Sequence, residues 1–171
     1  MYKKLFLSPH FTLQELCESQ TARMHGIANI PTEEAVANLR RLCENALEPL
    51  REGLGLPLII TSGFRSKRLN AMLAHASERS QHMEGRAADF YVGSGYTDST
   101  GKASRRKLLI KAFREILQNP KIDFDQLILY PSFIHVSYVS KEKNRRGILV
   151  GRSDGKLGYG RITRANALLI S

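Results

Sequence analysis

The sequence predicts an α+β domain in which helices pack on one side of a small, mainly antiparallel sheet. Three observations support this. Helical periodicity in residues 32–54 and 105–118 alternates with short β-branched runs. Two of those runs are separated only by Pro131 and Ser132, a spacing that demands a tight antiparallel hairpin. The 171 residues suit one domain, and 42% hydrophobic with 25% charged residues excludes a disordered chain, a collagen-like repeat and a membrane bundle. Residues 1–171 are therefore expected to form a single domain, with 148–171 as a basic, glycine-containing C-terminal extension.

The elements follow in order. Thr12 stands three residues before Glu15, the capping-box pattern, and predicts a short N-terminal helix. After Ile30-Pro31, Thr32 can cap a long helix whose first turn carries Glu33 and Glu34, where acidic groups suit the dipole. Val36, Leu39, Cys43, Ala46, Leu47, Leu50 and Leu54 hold helical spacing until Gly53 and Gly55 end it. Leu56 to Thr61 reads as a strand, Asn70 to Ala76 as a helical piece and Ala87 to Val92 as a second strand. Gly93 to Lys102 is rich in Gly, Ser and Thr and reads as a loop. Arg105 to Gln118 is helical through Leu108, Leu109, Ala112, Phe113, Ile116 and Leu117. Phe124 to Tyr130 and Phe133 to Val139 form the hairpin, and an Asp154-Gly155 turn lies in the extension.

A formal net charge of +10 favours an anionic partner, which could be nucleic acid, a phospholipid surface or the bacterial cell wall. Basic clusters at Arg105 to Lys107 and Lys141 to Arg146 raise the first option, but no nucleic-acid-binding motif accompanies them, and nucleic acid is not the expected partner. Cys17 and Cys43 form no CxxC pair and read as reduced, buried thiols. The apolar patch near the N-terminus ends at Ser8, too short for a signal peptide. With no transmembrane run either, the expectation is cytoplasmic synthesis, with action elsewhere only after release. A single domain of this size is expected to be a monomer.

Chemistry concentrates in Ser80-Gln-His-Met-Glu-Gly-Arg-Ala-Ala-Asp89. His82 and Asp89 would lie about 10.5 Å apart along a helix and over 20 Å apart along a strand, so neither lets both bind one ion. A reversal would, and Gly85 supplies the conformational freedom for it. His135 is the best third ligand, because alternation points Phe133, His135 and Ser137 to one face of their strand. Taken by themselves these residues also suit a plainer role, since a lone histidine in an apolar strand is more often a hydrogen-bonded core or surface residue. His10, His25 and His75 have no informative neighbour.

The segment Ser80 to Asp89 fits S-x-H-x-x-G-x-A-x-D. Together with Thr61-Ser-Gly-Phe-Arg-Ser66 and Ile134-His-Val-Ser137, it resembles the zinc D-Ala-D-Ala carboxypeptidase family. That family includes phage endolysins that cut L-alanyl-D-glutamate bonds, and its fold is shared by the hedgehog signalling domain. The likeness spans roughly residues 10 to 147. It implies a hedgehog-like fold, with Zn2+ held by His82, Asp89 and His135 and a fourth position open to water, the catalytic arrangement. It makes Arg65 the residue that pairs with a substrate carboxylate or supports the oxyanion, and Ser80 a substrate-binding or loop-ordering hydroxyl. The implied substrates are peptidoglycan stem peptides. A phage lysin reaching the wall after release would fit the missing signal peptide, as would a cytoplasmic enzyme.

One departure stands out. Family members carry an acidic residue three to six positions before the last histidine, as the base that takes a proton from the attacking water. Here Leu129 to Ile134 contains none, and Ser132 occupies the position three before His135. Glu84 and Asp125 are the substitute bases, and Tyr130 and Tyr138 are possible hydrogen-bonding groups nearby. The alternative implied by the missing carboxylate is a catalytically weak or inactive zinc-binding module for the cell wall or another partner.

Overall fold

The computed structural model describes residues 4–74, 76–93, 102–151 and 159–170. Helix α1 (Leu13–Cys17) begins where the Thr12 hydroxyl accepts the Glu15 N–H, as its capping pattern predicts. A second short helix, α2 (Gln20–Met24), was not foreseen and is capped in the same way by Ser19. The long periodic segment starts at Thr32 as expected but divides into α3 (Glu33–Leu42) and α4 (Glu48–Leu54), joined by a π-helical turn at Cys43–Leu47. Pro49 accounts for the division. It has no N–H for the Asn45 carbonyl four residues back, and the wider turn frees that carbonyl to accept from Asp123 N–H at 3.1 Å. Gly55, with φ +64°, closes α4.

The sheet contains β1 (Leu58–Ser62), β2 (Ala87–Val92), β3 (Gln126–Leu129), β4 (Ile134–Ser137), β5 (Gly147–Gly151) and β6 (Tyr159–Arg161), in the order β1-β2-β4-β3-β5-β6. Every pair is antiparallel except β3 with β5. Tyr130 N–H donates to Phe133 O at 3.0 Å across the Pro131-Ser132 turn, so the expected hairpin forms. The remaining helices are α5 (Lys67–Met72), α6 (Lys102–Gln118) and α7 (Arg164–Leu168).

Boundaries differ from expectation where a local group decides them. β1 starts at Leu58 because Pro57 cannot donate to a ladder, although its carbonyl accepts from Gly93 N–H. The third helical piece begins at Lys67, not Asn70, because the Ser66 hydroxyl accepts the Leu69 N–H. Lys102, read as the end of a loop, is helical. Most of that loop, the Asp154-Gly155 turn and His75 lie outside the described residues. The extension read from residue 148 onward contributes β5, β6 and α7, and Ala167 of α7 is fully buried in the same core as α6.

Strand alternation divides the sheet into two faces. Ala88, Phe90, Leu127, Leu129, Ile134 and Val136 join Leu39, Leu42, Leu50, Leu109 and Phe113 in one core, so the principal helices cover one side as expected. The other side carries Asp89, His135 and Ile128 at matching register. Cys17 and Cys43 are free thiols, and burial pushes Cys17 up to about 11 and Cys43 further still. Among the described residues no helix is long and apolar enough to cross a membrane.

Candidate metal centre

Two central strands and one loop build the site. Asp89 on β2 stands directly opposite His135 on β4, and His135 Nδ1 lies 2.7 Å from Asp89 Oδ1. His82 comes from the 3-10 turn Gln81–Glu84 that leads into β2, and its Nε2 lies 3.3 Å from both Asp89 Oδ1 and His135 Nδ1. Ligand atoms of the three residues all fall within 4.8 Å of one another.

Gly85 makes the reversal possible, as expected from the seven-residue spacing. Its φ is +70°, and a Cβ there would stand 2.3 Å from the Ala35 carbonyl oxygen. Asn38 on α3 donates to Glu84 O at 2.9 Å and ties the same turn to the helix layer. Neither contact was legible in the sequence, because a side chain bonding to a distant backbone carbonyl leaves no spacing signal.

His82 is fully buried, and its Nδ1 lies 2.7 Å from Gly63 O. A carbonyl only accepts, so Nδ1 carries the proton and the neutral ring presents the Nε2 lone pair to the cluster. Burial lowers the His82 pKa, against the opposing pull of Asp89, which favours this neutral ring. Burial by itself would raise Asp89, but its contacts with His82 and His135 hold its carboxyl well below the ordinary range. The set is thus one ionised carboxylate and two imidazoles, a borderline N/O donor group that suits zinc.

Arg65 occupies a place the sequence did not reveal. Its Nη2 donates to Asp89 Oδ2 at 2.7 Å and its Nε to Ser62 Oγ at 2.8 Å. The two carboxylate oxygens are therefore divided, Oδ1 toward the histidines and Oδ2 toward the guanidinium. A β-bulge between Ile60 and Ser62 makes this possible by bringing Ser62, not Thr61, opposite Asp89. Asn29 supports the turn after β1, accepting from Ser66 N–H and donating to Cys17 O and Phe64 O. Burial lowers the Arg65 pKa, opposed by Asp89 and by Tyr130.

The expected bases are not brought into this group. Glu84 pairs with Arg86 at 2.6 Å. Asp125 is buried and held by Arg145 Nη2 at 2.5 Å and by Gln81 Nε2 at 2.9 Å. Burial would raise it, yet the Arg145 hydrogen bonds keep it below the ordinary carboxylate value, which weakens it as a base. Its bond to Gln81 makes it an anchor for the turn that carries His82. Ser80 opens that turn through its carbonyl, which accepts from Met83 N–H. Ser132 sits in the two-residue hairpin turn. Tyr138 belongs to the helix-side core, whereas alternation places Tyr130 on the metal side, its ring stacked on Phe133 with centroids 4.4 Å apart.

The model of a family described as Peptidase M15 matches residues 9–137, about three-quarters of the chain. The matched span contains Arg65 and the three clustered side chains and stops at the end of β4. No curated protein matches the chain significantly.

Proposed function

The chain belongs to the peptidase M15 family, and from that premise we propose that it is a zinc-dependent peptidase hydrolysing an amide bond of peptidoglycan stem peptides. The bond is either the terminal D-Ala-D-Ala link or an L-Ala-D-Glu type link. The observation that carries this reading is the convergence of His82 Nε2, His135 Nδ1 and Asp89 Oδ1, with Arg65 on the second oxygen of the same carboxylate.

His82, Asp89 and His135 would hold the metal. When bound, zinc supplies Lewis acidity at the scissile carbonyl and lowers the pKa of a water to about 7. Gly63 O fixes the His82 tautomer, so the ring enters the site with its lone pair already directed. Arg65 fixes the rotation of the Asp89 carboxylate through Oδ2. Its Nη1 has no partner among the described residues, leaving two donors for a stem-peptide carboxylate or for the oxygen that gains charge during attack. Ser80, which opens the His82 turn, would bind substrate as the motif resemblance implies. The basic excess would hold the domain near an anionic wall.

A second reading keeps the metal and drops the hydrolysis, giving a wall-binding or partner-binding module. It is favoured by one observation: among the described residues no further carboxylate joins the ligand cluster, and both expected bases are held by arginines. General-base help is worth about a hundred- to ten-thousandfold. Mass spectrometry of muropeptides digested with the zinc-loaded protein separates the two. Cleaved stem peptides that disappear with Asp89→Ala support hydrolysis, and intact muropeptides retained on the protein support binding. Absence of stoichiometric zinc in protein purified without chelator would refute both.

A further inference from the structure

The basic excess is not spread evenly. Arg145, Arg146, Arg161 and Arg164 surround one cavity of about 330 Å³ whose walls include Phe124 and Ile148. Two of the four charges are answered inside the protein, Arg145 by Asp125 and Arg146 by Asp123 at 3.0 Å. Arg164 donates to the Leu117 backbone carbonyl, and neither it nor Arg161 forms an ion pair among the described residues. Among the described residues the cavity therefore carries a surplus of two positive charges.

The backbone marks the same place. Arg146 has φ +50° and is the one non-glycine residue among those described in the left-handed region. A side chain is disfavoured there, yet its guanidinium is held in position by both oxygens of Asp123.

We propose that this cavity binds a phosphate group, as inorganic phosphate or a phosphomonoester. A phosphomonoester carries about −1.5 to −2 near pH 7, which matches the surplus, whereas a carboxylate or a phosphodiester brings a single charge. Guanidinium forks present paired N–H donors at the spacing of phosphate oxygens. The apolar wall formed by Phe124 and Ile148 lowers the local dielectric and strengthens each contact. The site is built from Phe124, the turn and start of β5 at residues 145–148, the end of β6 and the start of α7, and does not depend on the peptidase reading.

The test is a titration of the full chain, followed by 1H–15N NMR at constant ionic strength, with inorganic phosphate, dimethyl phosphate and acetate as separate probes. Phosphate should give saturable shifts at Gly147, Ile148 and Arg161 and bind more tightly than the two monoanions. Arg161→Gln removes an exposed strand arginine that has no ion pair among the described residues and should weaken phosphate roughly tenfold. Arg146→Gly removes a guanidinium while easing the backbone, and should weaken phosphate while leaving the fold intact. Lys107→Gln, an equal charge loss at an exposed position of α6, should change nothing. Equal affinity for acetate and phosphate, shifts that never saturate, or an equal loss in Lys107→Gln and Arg161→Gln would overturn the assignment.

Discussion

Replacing Gly85 with alanine perturbs the loop that carries His82 in two ways, and two other glycines separate them. Gly55 has φ +64° with nothing within 4 Å of the place a Cβ would take, so Gly55→Ala carries only the cost of the left-handed backbone, about 1–2 kcal/mol. Gly63 has no positive φ, but its Cβ would stand 2.2 Å from the Leu16 carbonyl oxygen, well under the 3.0 Å that real contacts respect. Overpacking of that kind costs about 1–3 kcal/mol. Gly85 combines both, with φ +70° and a 2.3 Å approach to the Ala35 carbonyl, so its cost should be about 2–5 kcal/mol. For a domain of this size each kcal/mol lowers Tm by about 2–4 °C, a loss readily measured by thermal denaturation of the metal-free protein. Zinc affinity adds a second readout. Gly63 O bonds His82 Nδ1 and Gly85 N–H donates to His82 O, so both substitutions displace the ligand and should weaken zinc roughly 10- to 100-fold. Gly55→Ala should leave zinc affinity unchanged. Gly85→Ala no less stable than Gly55→Ala, or one zinc affinity across all three variants, would refute the reasoning.

Arg65→Lys keeps the charge but cannot hold Ser62 and Asp89 together, so kcat/KM should fall by about one to two orders of magnitude with zinc content retained; unchanged kinetics would remove Arg65 from the site. Glu48 is buried, which by itself would raise its pKa, but hydrogen bonds from Ser8 and His10 hold it below its ordinary 4.5. A depressed folded-state pKa gives stability that is present above the unfolded value and lost as pH falls through the folded one, so Glu48→Gln should abolish part of the acid-side decline seen in urea unfolding between about pH 7 and pH 3. A decline of the same slope in wild type and variant would exclude this role. Cys17, pushed up to about 11 by burial, should alkylate roughly two-hundredfold more slowly at pH 8 than a free thiol, with Cys43 slower again. Fast modification of native protein by iodoacetamide would contradict that burial.

Much of the site was readable because its first requirement is local. His82 and Asp89 sit at a spacing that no helix or strand can close, and the glycine between them adopts the left-handed conformation that closes it. His135 could be chosen because strand alternation sends it to the face away from the apolar residues. Arg65 was located by motif, but its bond to Asp89 was not, because it depends on a bulge in a different strand. The π-helical turn left a signal that could have been used: Pro49 inside an otherwise helical pattern.

The sequence by itself determined the elements that adjacent residues decide: the caps at Thr12 and Thr32, the bounds of β2, the Pro131-Ser132 hairpin and the reversal at Gly85. Each follows from short-range sterics and hydrogen bonding over a few residues. Only the tertiary structure decided which oxygen of Asp89 faces the histidines, which tautomer His82 adopts, and that Asp125 is an anchor held by Arg145. It also decided that residues 147–151 pair in parallel with β3 and gather four arginines around one cavity. Those outcomes depend on register and packing between segments far apart in the chain. A charge or a spacing within one segment does not encode where another segment will lie.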